Sequence, residues 1–449
     1  MKAIKSLSFG GIIILLTISI LVFKFFLHKD VLIQERSPTV KLGIDVLQER
    51  NFDLIQGKKI GILTNQAGVS QSGKRTWEIL KNTPGVELKA IFAPVHGLSG
   101  KYMFLETFYN DEVDGIPIYS VYASNSKPKP EWLRGLDAVV IDLQGIGIRY
   151  YNYWAFMVYM MAACFEENIE VIVLDRPNPL GGKYVGGPIM EAKNTSVWGP
   201  IEGLPLFHGL TIGELAQWIK SSDKDIIVHQ QIETGVIHSG LTLSKEILNK
   251  GKLTVVPMKG WKRNMLWQHT GLAWIQTSPM IPNLRSTYEF ALCVFGLFAS
   301  SNHGFDNCNF FKVEADWIKN LPFHKISSKF LTPGHFIQYV YEVCPGHPTG
   351  YSLSTSRKNK SILKLEVKDI RKVSPAMFGL ALLSLSQKHS RFYFYSDENC
   401  GFVGAQLGDS ELVDKLFRVE RIDPFYFQSK WEASALQFIE KVKSFYLYE

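Results

Sequence analysis

Three short stretches combine ionisable side chains with the turn residues that hold such groups in place. Pro94-Val95-His96-Gly97 puts a histidine, the side chain that exchanges protons near neutral pH, between a proline and a glycine. Asp142-Leu-Gln-Gly145-Ile-Gly147-Ile-Arg149-Tyr150 runs from a carboxylate through two glycines to a guanidinium, and Tyr151, Tyr153 and Trp154 follow at once. Asp175-Arg-Pro-Asn-Pro-Leu-Gly-Gly182 uses two prolines and two glycines to fix a loop that presents Asp175, Arg176 and Asn178 together. His208-Gly209 repeats the histidine-in-a-turn pattern ahead of Thr211 and Glu214, which have the spacing of a helix capping box. The chemistry open to these groups is proton transfer at His96 and the carboxylates. Recognition of a polar ligand would fall to Arg149, with its fixed fork of donors, and to the flat apolar faces of the tyrosines. An internal Asp175–Arg176 pair that merely ties the turn is the structural alternative for the third stretch.

Other chemistries lack their signatures. Gly145-x-Gly147 invites a dinucleotide reading, but Tyr150 stands where the third glycine belongs and aromatic side chains crowd the place a pyrophosphate needs. H-E-x-x-H, P-loop and G-x-S-x-G patterns are missing, so zinc-peptidase, P-loop and serine-hydrolase readings fall away. The five cysteines (Cys164, Cys293, Cys308, Cys344, Cys400) are odd in number and never form C-x-x-C, which argues against a zinc knuckle or a disulfide framework. No metal or cofactor is expected. With 46% hydrophobic and 20% charged residues in a chain of 449, a sizeable core forms and disorder is excluded. Of the net charge of +7, the first thirty residues contribute +3, where Lys2, Lys5, Lys24 and Lys29 face only Asp30. The remainder is too mildly basic for a nucleic-acid binder. Aromatic residues reach 13%, a content that serves a core and also suits stacking on sugar rings.

Loops of this kind need a scaffold, and the hydrophobic pattern supplies one. Apolar runs at Lys59–Leu63, Leu88–Phe92, Ile116–Val121, Ala138–Leu143, Val171–Leu174 and Leu253–Val256 read as strands, with helix-length segments at Thr76–Asn82 and Trp154–Glu167 between them. Continuous apolar strands alternating with helices indicate a parallel sheet covered on both faces, with ligands beyond the carboxyl ends of its strands. That places the functional loops at 64–73, 93–106, 144–154 and 175–191. From about Pro282 the pattern shifts to longer helices (Thr287–Ser300, Pro375–His389, Ala433–Phe445) and strands near Ile362–Val367 and Phe392–Tyr395. The fold class is therefore α/β, with a Rossmann-like domain over 41–281 and a smaller α/β domain over 282–449. Residues 1–29 hold an uncharged run from Ser6 to Phe23 behind two lysines, which reads as a signal anchor or an uncleaved signal peptide, and 30–40 reads as a linker. Lysines at the start place that end in the cytoplasm and the rest across the membrane; secretion after cleavage is the alternative.

These motifs, in this order, resemble the exo-β-N-acetylmuramidase family, glycosidases of bacterial cell-wall recycling long described as a domain of unknown function. The resembling pieces are Gly61-Ile-Leu-Thr-Asn-Gln-Ala-Gly68, Pro94–Gly97, Asp142–Tyr153, Leu174–Gly182, Pro188-Ile-Met-Glu191, His208–Ala216 and Ser278-Pro279, within a match from Gly43 to Tyr448. The resemblance implies a cleft between the two domains. It also implies a terminal N-acetylmuramic acid of peptidoglycan fragments or muropeptides as substrate, no cofactor, and a soluble part outside a bacterial inner membrane. It carries over His96, Glu106 and Asp142 as catalytic candidates, Glu106 standing where the family tends to have an acid after the histidine. Asn65, Arg149, Tyr151, Tyr153, Asn178 and His208 are the candidates for holding substrate. Four positions depart from the family's pattern. Val95 replaces the glutamate of Pro-Glu-His-Gly, Gly186 that of Val-Glu-Gly-Pro, and Met280 the asparagine after Ser-Pro, while Ser301–Asp306 replaces Glu-Gly-Arg-Gly-Thr. Glycoside hydrolysis uses a proton donor and a second carboxylate, which valine and glycine cannot supply. Two functions are thus expected in parallel: the family's hydrolysis, or binding of muropeptides without cleavage. The oligomeric state is not legible.

Overall fold

The computed structural model describes residues 40–449 except 104, 105, 107, 197–198, 229–230, 234–235, 239, 299–311, 317–320, 328–331, 356–361, 390–403 and 419. The N-terminal apolar run, the strand expected near Phe392–Tyr395 and the stretch Ser301–Asp306 lie outside the described residues. No helix among the described residues is long and apolar enough to cross a membrane.

The strands read from the apolar runs assemble as a mixed, mostly parallel sheet. They are β1 (Lys59–Thr64), β2 (Glu87–Ala93), β3 (Asp111–Val113), β4 (Ile116–Ser120), β5 (Ala138–Asp142) and β6 (Glu170–Leu174), joined by the strand Leu253–Val256. Among the described residues the sheet has seven strands in the order Leu253–Val256, β6, β5, β1, β2, β4, β3. Neighbours run parallel except β3, which pairs antiparallel with β4. Every residue of β5 and β6 is buried, as expected of strands covered on both faces. The helix Tyr153–Glu166 is buried from Tyr153 to Phe165, which explains why it shows no polar stripe. The chain lays β2 and β4 on one side of β1, then returns to place β5 and β6 on the other. This reversal opens a crevice above the carboxyl ends of β1 and β5, where Thr64 lies beside Asp142.

The sequence pattern did not disclose the short antiparallel pieces. The pairing of Gly186–Ile189 with Pro205–Phe207, the edge strand β3, and most of a four-stranded antiparallel sheet (Lys312–Asp316, Leu321–Ser327, Ile362–Val367, Tyr351–Thr355) are additions of the structure. Most of these strands have three to five residues, too short for a two-residue period to stand out; Leu321–Ser327, with seven, is broken by Pro322 and carries no clear alternation.

Two hydrophobic cores form, and neither follows sequence order. One gathers Ile62, Val140, Met160, Ile172 and Leu215 around the parallel sheet. The other gathers Phe336, Tyr351, Phe378, Leu412 and Trp431, and it also takes in Ile146 and Ile148 from the loop after β5 and Phe207 from the strand Pro205–Phe207. The helix Pro424–Val442 crosses between them. It buries Phe427 and Trp431 in the second core and Phe438 and Val442 in the first, with Phe438 edge-on to Trp218 at 5.4 Å.

Candidate functional site

Asn65 and Gln66 follow β1 directly. Asn65 Oδ1 accepts from the Ala67 N–H at 3.0 Å, a local turn that leaves its Nδ2 buried near the Tyr153 hydroxyl without a well-formed hydrogen bond among the described residues. Gln66 Nε2 donates to the Gln276 and Thr277 carbonyls at 2.9 Å each, which orients the amide and leaves Oε1 buried and unpaired. Gly100, at φ +69, has no Cβ for a physical reason: that atom would fall 2.1 Å from Gln66 Cδ. After β5, Gln144 Nε2 donates to the Gly145 and Pro177 carbonyls at 2.7 and 2.8 Å, and its Oε1 is likewise unpaired.

Tyr153 Oη donates to the Thr277 carbonyl at 2.6 Å, with the Tyr151 ring edge-on to it at 5.0 Å. The Tyr151 and Thr277 hydroxyls lie in the same cluster, buried and without a well-formed hydrogen bond. Burial pushes the Tyr151 phenol up to about 12, with the nearby Thr277, Ser278 and Tyr153 hydroxyls pulling the other way. A buried polar atom left unpaired costs about 1–3 kcal/mol, so these five incompletely paired groups near the switch point are suited to a polar external partner. Gln66, Gln144 and Thr277 were not foreseen from sequence. The available signal was their position: Gln66 and Gln144 stand within two residues of a strand's carboxyl end, and Thr277 precedes Ser278-Pro279.

The loop after β2 brings His96 and Glu106 together. His96 and Gly97 both take left-handed backbone conformations (φ +74 and +73), uncommon for a histidine and of the kind retained at functional sites. His96 Nδ1–H donates to the Tyr102 carbonyl at 2.5 Å, which leaves Nε2 as the acceptor of the neutral ring. Burial lowers the imidazole below its ordinary value, while the Tyr102 bond and the Glu106 charge raise it. Glu106 is exposed and accepts the Met103 N–H through Oε2 at 2.6 Å. Val95 is buried in the core beneath the turn.

Other expected site residues have polar atoms committed to the framework, wholly in Asp142 and at both terminal nitrogens of Arg149, and in part in Asn178 and His208. Asp142 is fully buried. It receives Arg176 Nε at 2.5 Å and Nη2 at 2.9 Å, and Thr76 Oγ1 at 2.5 Å, so both its oxygens are committed to the frame. Arg176 thus pairs with Asp142, and not with Asp175 as the turn alone suggested. Arg149 is buried and gives Nη1 to the Pro188 and Leu204 carbonyls at 2.8 and 2.6 Å. Its Nη2 donates to the Gln406 and Leu407 carbonyls at 3.1 and 2.8 Å. Burial lowers the guanidinium to about 10. The expectation that Arg149 offers its donors to a ligand is corrected: it pins the 404–408 segment to the loop that follows β5 and to Gly186–Ile189. Asn178 bonds the Leu210 carbonyl (3.1 Å) and the Leu180 N–H (3.0 Å), and His208 Nδ1 accepts the Leu210 N–H at 3.1 Å. Burial and the charges of Arg149 and Arg263 lower His208 to about 3, so it is a neutral Nε2–H donor. Asn178 and His208 nevertheless line one small cavity with Tyr151 and Arg176.

The fold and this site define a class: an α/β protein that presents uncharged hydrogen-bonding side chains at the switch point of its sheet, beside a histidine–glutamate loop. A family model described as exo-beta-N-acetylmuramidase NamZ, N-terminal, matches residues 60–285, and the chain belongs to this family. It is 38% identical over 257 residues to the peptidoglycan beta-N-acetylmuramidase NamZ of Bacillus subtilis (strain 168). That alignment spans 57% of this chain and 56% of the relative, a little over half its length. A solved DUF1343 family protein of Bacteroides fragilis NCTC 9343 superposes with a TM-score of 0.73 at 27% identity, covering 91% of this chain and 99% of the other. A second DUF1343 protein from the same organism gives a TM-score of 0.59 at 21% identity over the same shares, a likeness of fold alone.

Proposed function

We propose that this chain is an exo-β-N-acetylmuramidase-like protein acting on the terminal N-acetylmuramic acid of peptidoglycan fragments. The observation that carries the proposal is the convergence of unpaired Asn65, Gln66, Gln144, Tyr151 and Thr277 atoms at the switch point. Sugar hydroxyls and acetamido groups are neutral donors and acceptors, and such a set matches them. In this reading Glu106 gives the proton to the leaving oxygen, and neutral His96 accepts one through Nε2. The family membership and the relative's printed activity support the substrate class. The N-terminal apolar run supports a site of action at the outer face of a bacterial inner membrane.

A second reading, binding without cleavage, is favoured by one observation: Asp142 and Asp175 are buried in structural bonds, and Val95 is apolar where the resemblance calls for a glutamate. The deciding experiment incubates the purified chain with a chromogenic β-N-acetylmuramic acid glycoside. Turnover that Glu106→Gln abolishes establishes hydrolysis. Saturable binding of N-acetylmuramic acid without turnover establishes the second reading, and neither signal removes both. Val95→Glu places a carboxyl in a buried pocket that raises its pKa into the range of a general acid, and cleavage gained by that variant shows a cleft lacking only its acid.

A further inference from the structure

The Asp175 carboxylate sits at the end of β6 without solvent exposure, and a segment from far along the chain reaches it. Tyr448 Oη donates to Asp175 Oδ2 at 2.5 Å and accepts from the Met258 N–H at 2.8 Å. The flanking residues dock the same way. The Tyr446 ring lies 3.5 Å from the Arg263 guanidinium, the Leu447 N–H donates to Glu214 Oε1 at 3.0 Å, and the Arg263 N–H donates to the Glu449 carbonyl at 2.8 Å.

From Asp175 the bonds run on toward the site. Oδ2 also accepts Thr211 Oγ1 at 2.8 Å, while Oδ1 accepts the Gly213 N–H at 2.7 Å and the Arg176 N–H at 3.0 Å. Arg176 in turn holds Asp142 and the Val69 carbonyl (2.6 Å), and Asn178 sits two residues further, where a Cβ on Gly147 would fall 2.1 Å from its Oδ1. One carboxylate therefore joins the Tyr446–Glu449 segment, the start of the helix Ile212–Lys220, and the Asp175–Gly182 loop.

We propose that Tyr448 is a positioning residue: its hydroxyl anchors Asp175, and through it the Asp175–Gly182 loop that forms one wall of the cavity beside Tyr151. Burial pushes the Asp175 carboxyl up to about 7, the Glu214 charge adds to the rise, and the bonds from Tyr448, Gly213 and Thr211 oppose it. The other groups facing this point are Arg263, bound to Glu214 through Nη1 at 2.7 and 2.9 Å, and the Tyr446 phenol. Without the Tyr448 hydroxyl, a buried carboxylate beside Glu214 loses a donor, and the loop it holds loosens. Only the consequence for ligand binding rests on the muramyl-sugar reading; the anchoring does not.

The test is Tyr448→Phe in the full chain, a change that keeps the ring edge-on to Trp261 at 5.0 Å. Amide hydrogen exchange, which needs no ligand, is expected to quicken about 10-fold in residues 176–182 and 211–213 and to stay unchanged in β2 and β4. N-acetylmuramic acid binding, followed by calorimetry, is expected to weaken about 5- to 10-fold. In an Asp175→Asn background the same substitution is expected to add little. Unchanged exchange at 176–182, an equal rise throughout the sheet, or fully additive effects in the two backgrounds each overturn the proposal. A local rise in exchange in a protein that binds no muramic acid upholds the anchoring and removes the sugar reading instead.

Discussion

At the carboxyl ends of β1 and β5, Asn65, Gln66, Gln144, Tyr151 and Thr277 each bury a polar atom that nothing in the described residues satisfies. One strand along the same edge, Asp175 accepts four hydrogen bonds, and Glu214 accepts Arg263 through both oxygens together with the Thr211 and Leu447 N–H groups. The first cluster is uncharged and under-paired; the second is charged and saturated. The difference teaches where binding and framework separate. A saturated network resists rearrangement and fixes loops, whereas unpaired groups lower the stability of the empty protein and repay it when a ligand arrives.

The contrast yields opposite mutational signatures. Glu106→Gln, at an exposed position, is expected to leave urea-unfolding stability within about 0.5 kcal/mol while lowering turnover of a muramyl glycoside about 10²–10⁴-fold. A loss of stability without a change in rate would move Glu106 to the framework. Arg263→Ala strands the Glu214 carboxylate and Asp142→Asn strands the Arg176 guanidinium; each is expected to cost about 3–5 kcal/mol of unfolding free energy. A stable Asp142→Asn protein that has lost only activity would return Asp142 to the catalytic group. Tyr151→Phe removes a hydroxyl without a well-formed bond, so stability is expected to hold or rise slightly while N-acetylmuramic acid affinity falls about 10-fold. Tyr153→Phe, which deletes a made bond to the Thr277 carbonyl, is expected to cost about 1 kcal/mol of stability. That result would sharpen the line between two adjacent tyrosines.

The smallest effect concerns pH. His208 is a base with a lowered pKa, so its contribution is complete above its ordinary value of 6.5 and is lost as pH falls toward about 3. Asp175 is an acid raised to about 7, so its contribution is complete below its ordinary value of 3.8 and is lost as pH rises through 7. Between pH 8 and 6 the two oppose each other. His208→Asn, which keeps an acceptor for the Leu210 N–H, is expected to remove a loss of about 0.8 kcal/mol over that interval. Thermal or urea unfolding at the two pH values checks this against the wild-type chain.

Much of the framework was legible because burial on both faces of a parallel sheet writes continuous apolar runs, and β1, β2, β5, β6 and Leu253–Val256 lie within about a residue of those runs. The capping box at Thr211 was legible for the same local reason: Thr211 Oγ1 accepts the Glu214 N–H at 3.3 Å and Glu214 Oε2 accepts the Thr211 N–H at 3.0 Å. The site was legible in its loops and less so in its residues. Sequence adjacency suggested that Asp142, Arg149, Asp175 and Arg176 shared a cleft, yet each is consumed by a partner between 34 and 273 positions away or by the backbone of another loop. Residue type declares what a side chain is able to bond; it does not declare whether those bonds are already made.

The amino-acid sequence by itself determined the alternation of strands and helices, the loops at the carboxyl edge, the turn at His96 and the family to which they belong, because these depend on periodicity and on residues close in the chain. Tertiary structure alone decided which polar groups are spent and which are open. Arg149 became a strut because the 404–408 segment supplies two carbonyls, Asp175 a junction because Tyr448 reaches it, and Gln66, Gln144 and Thr277 an opening because the described residues leave one polar atom of each without a well-formed bond. Hydrogen-bond saturation is a sum over neighbours in space, and only the folded chain brings those neighbours together.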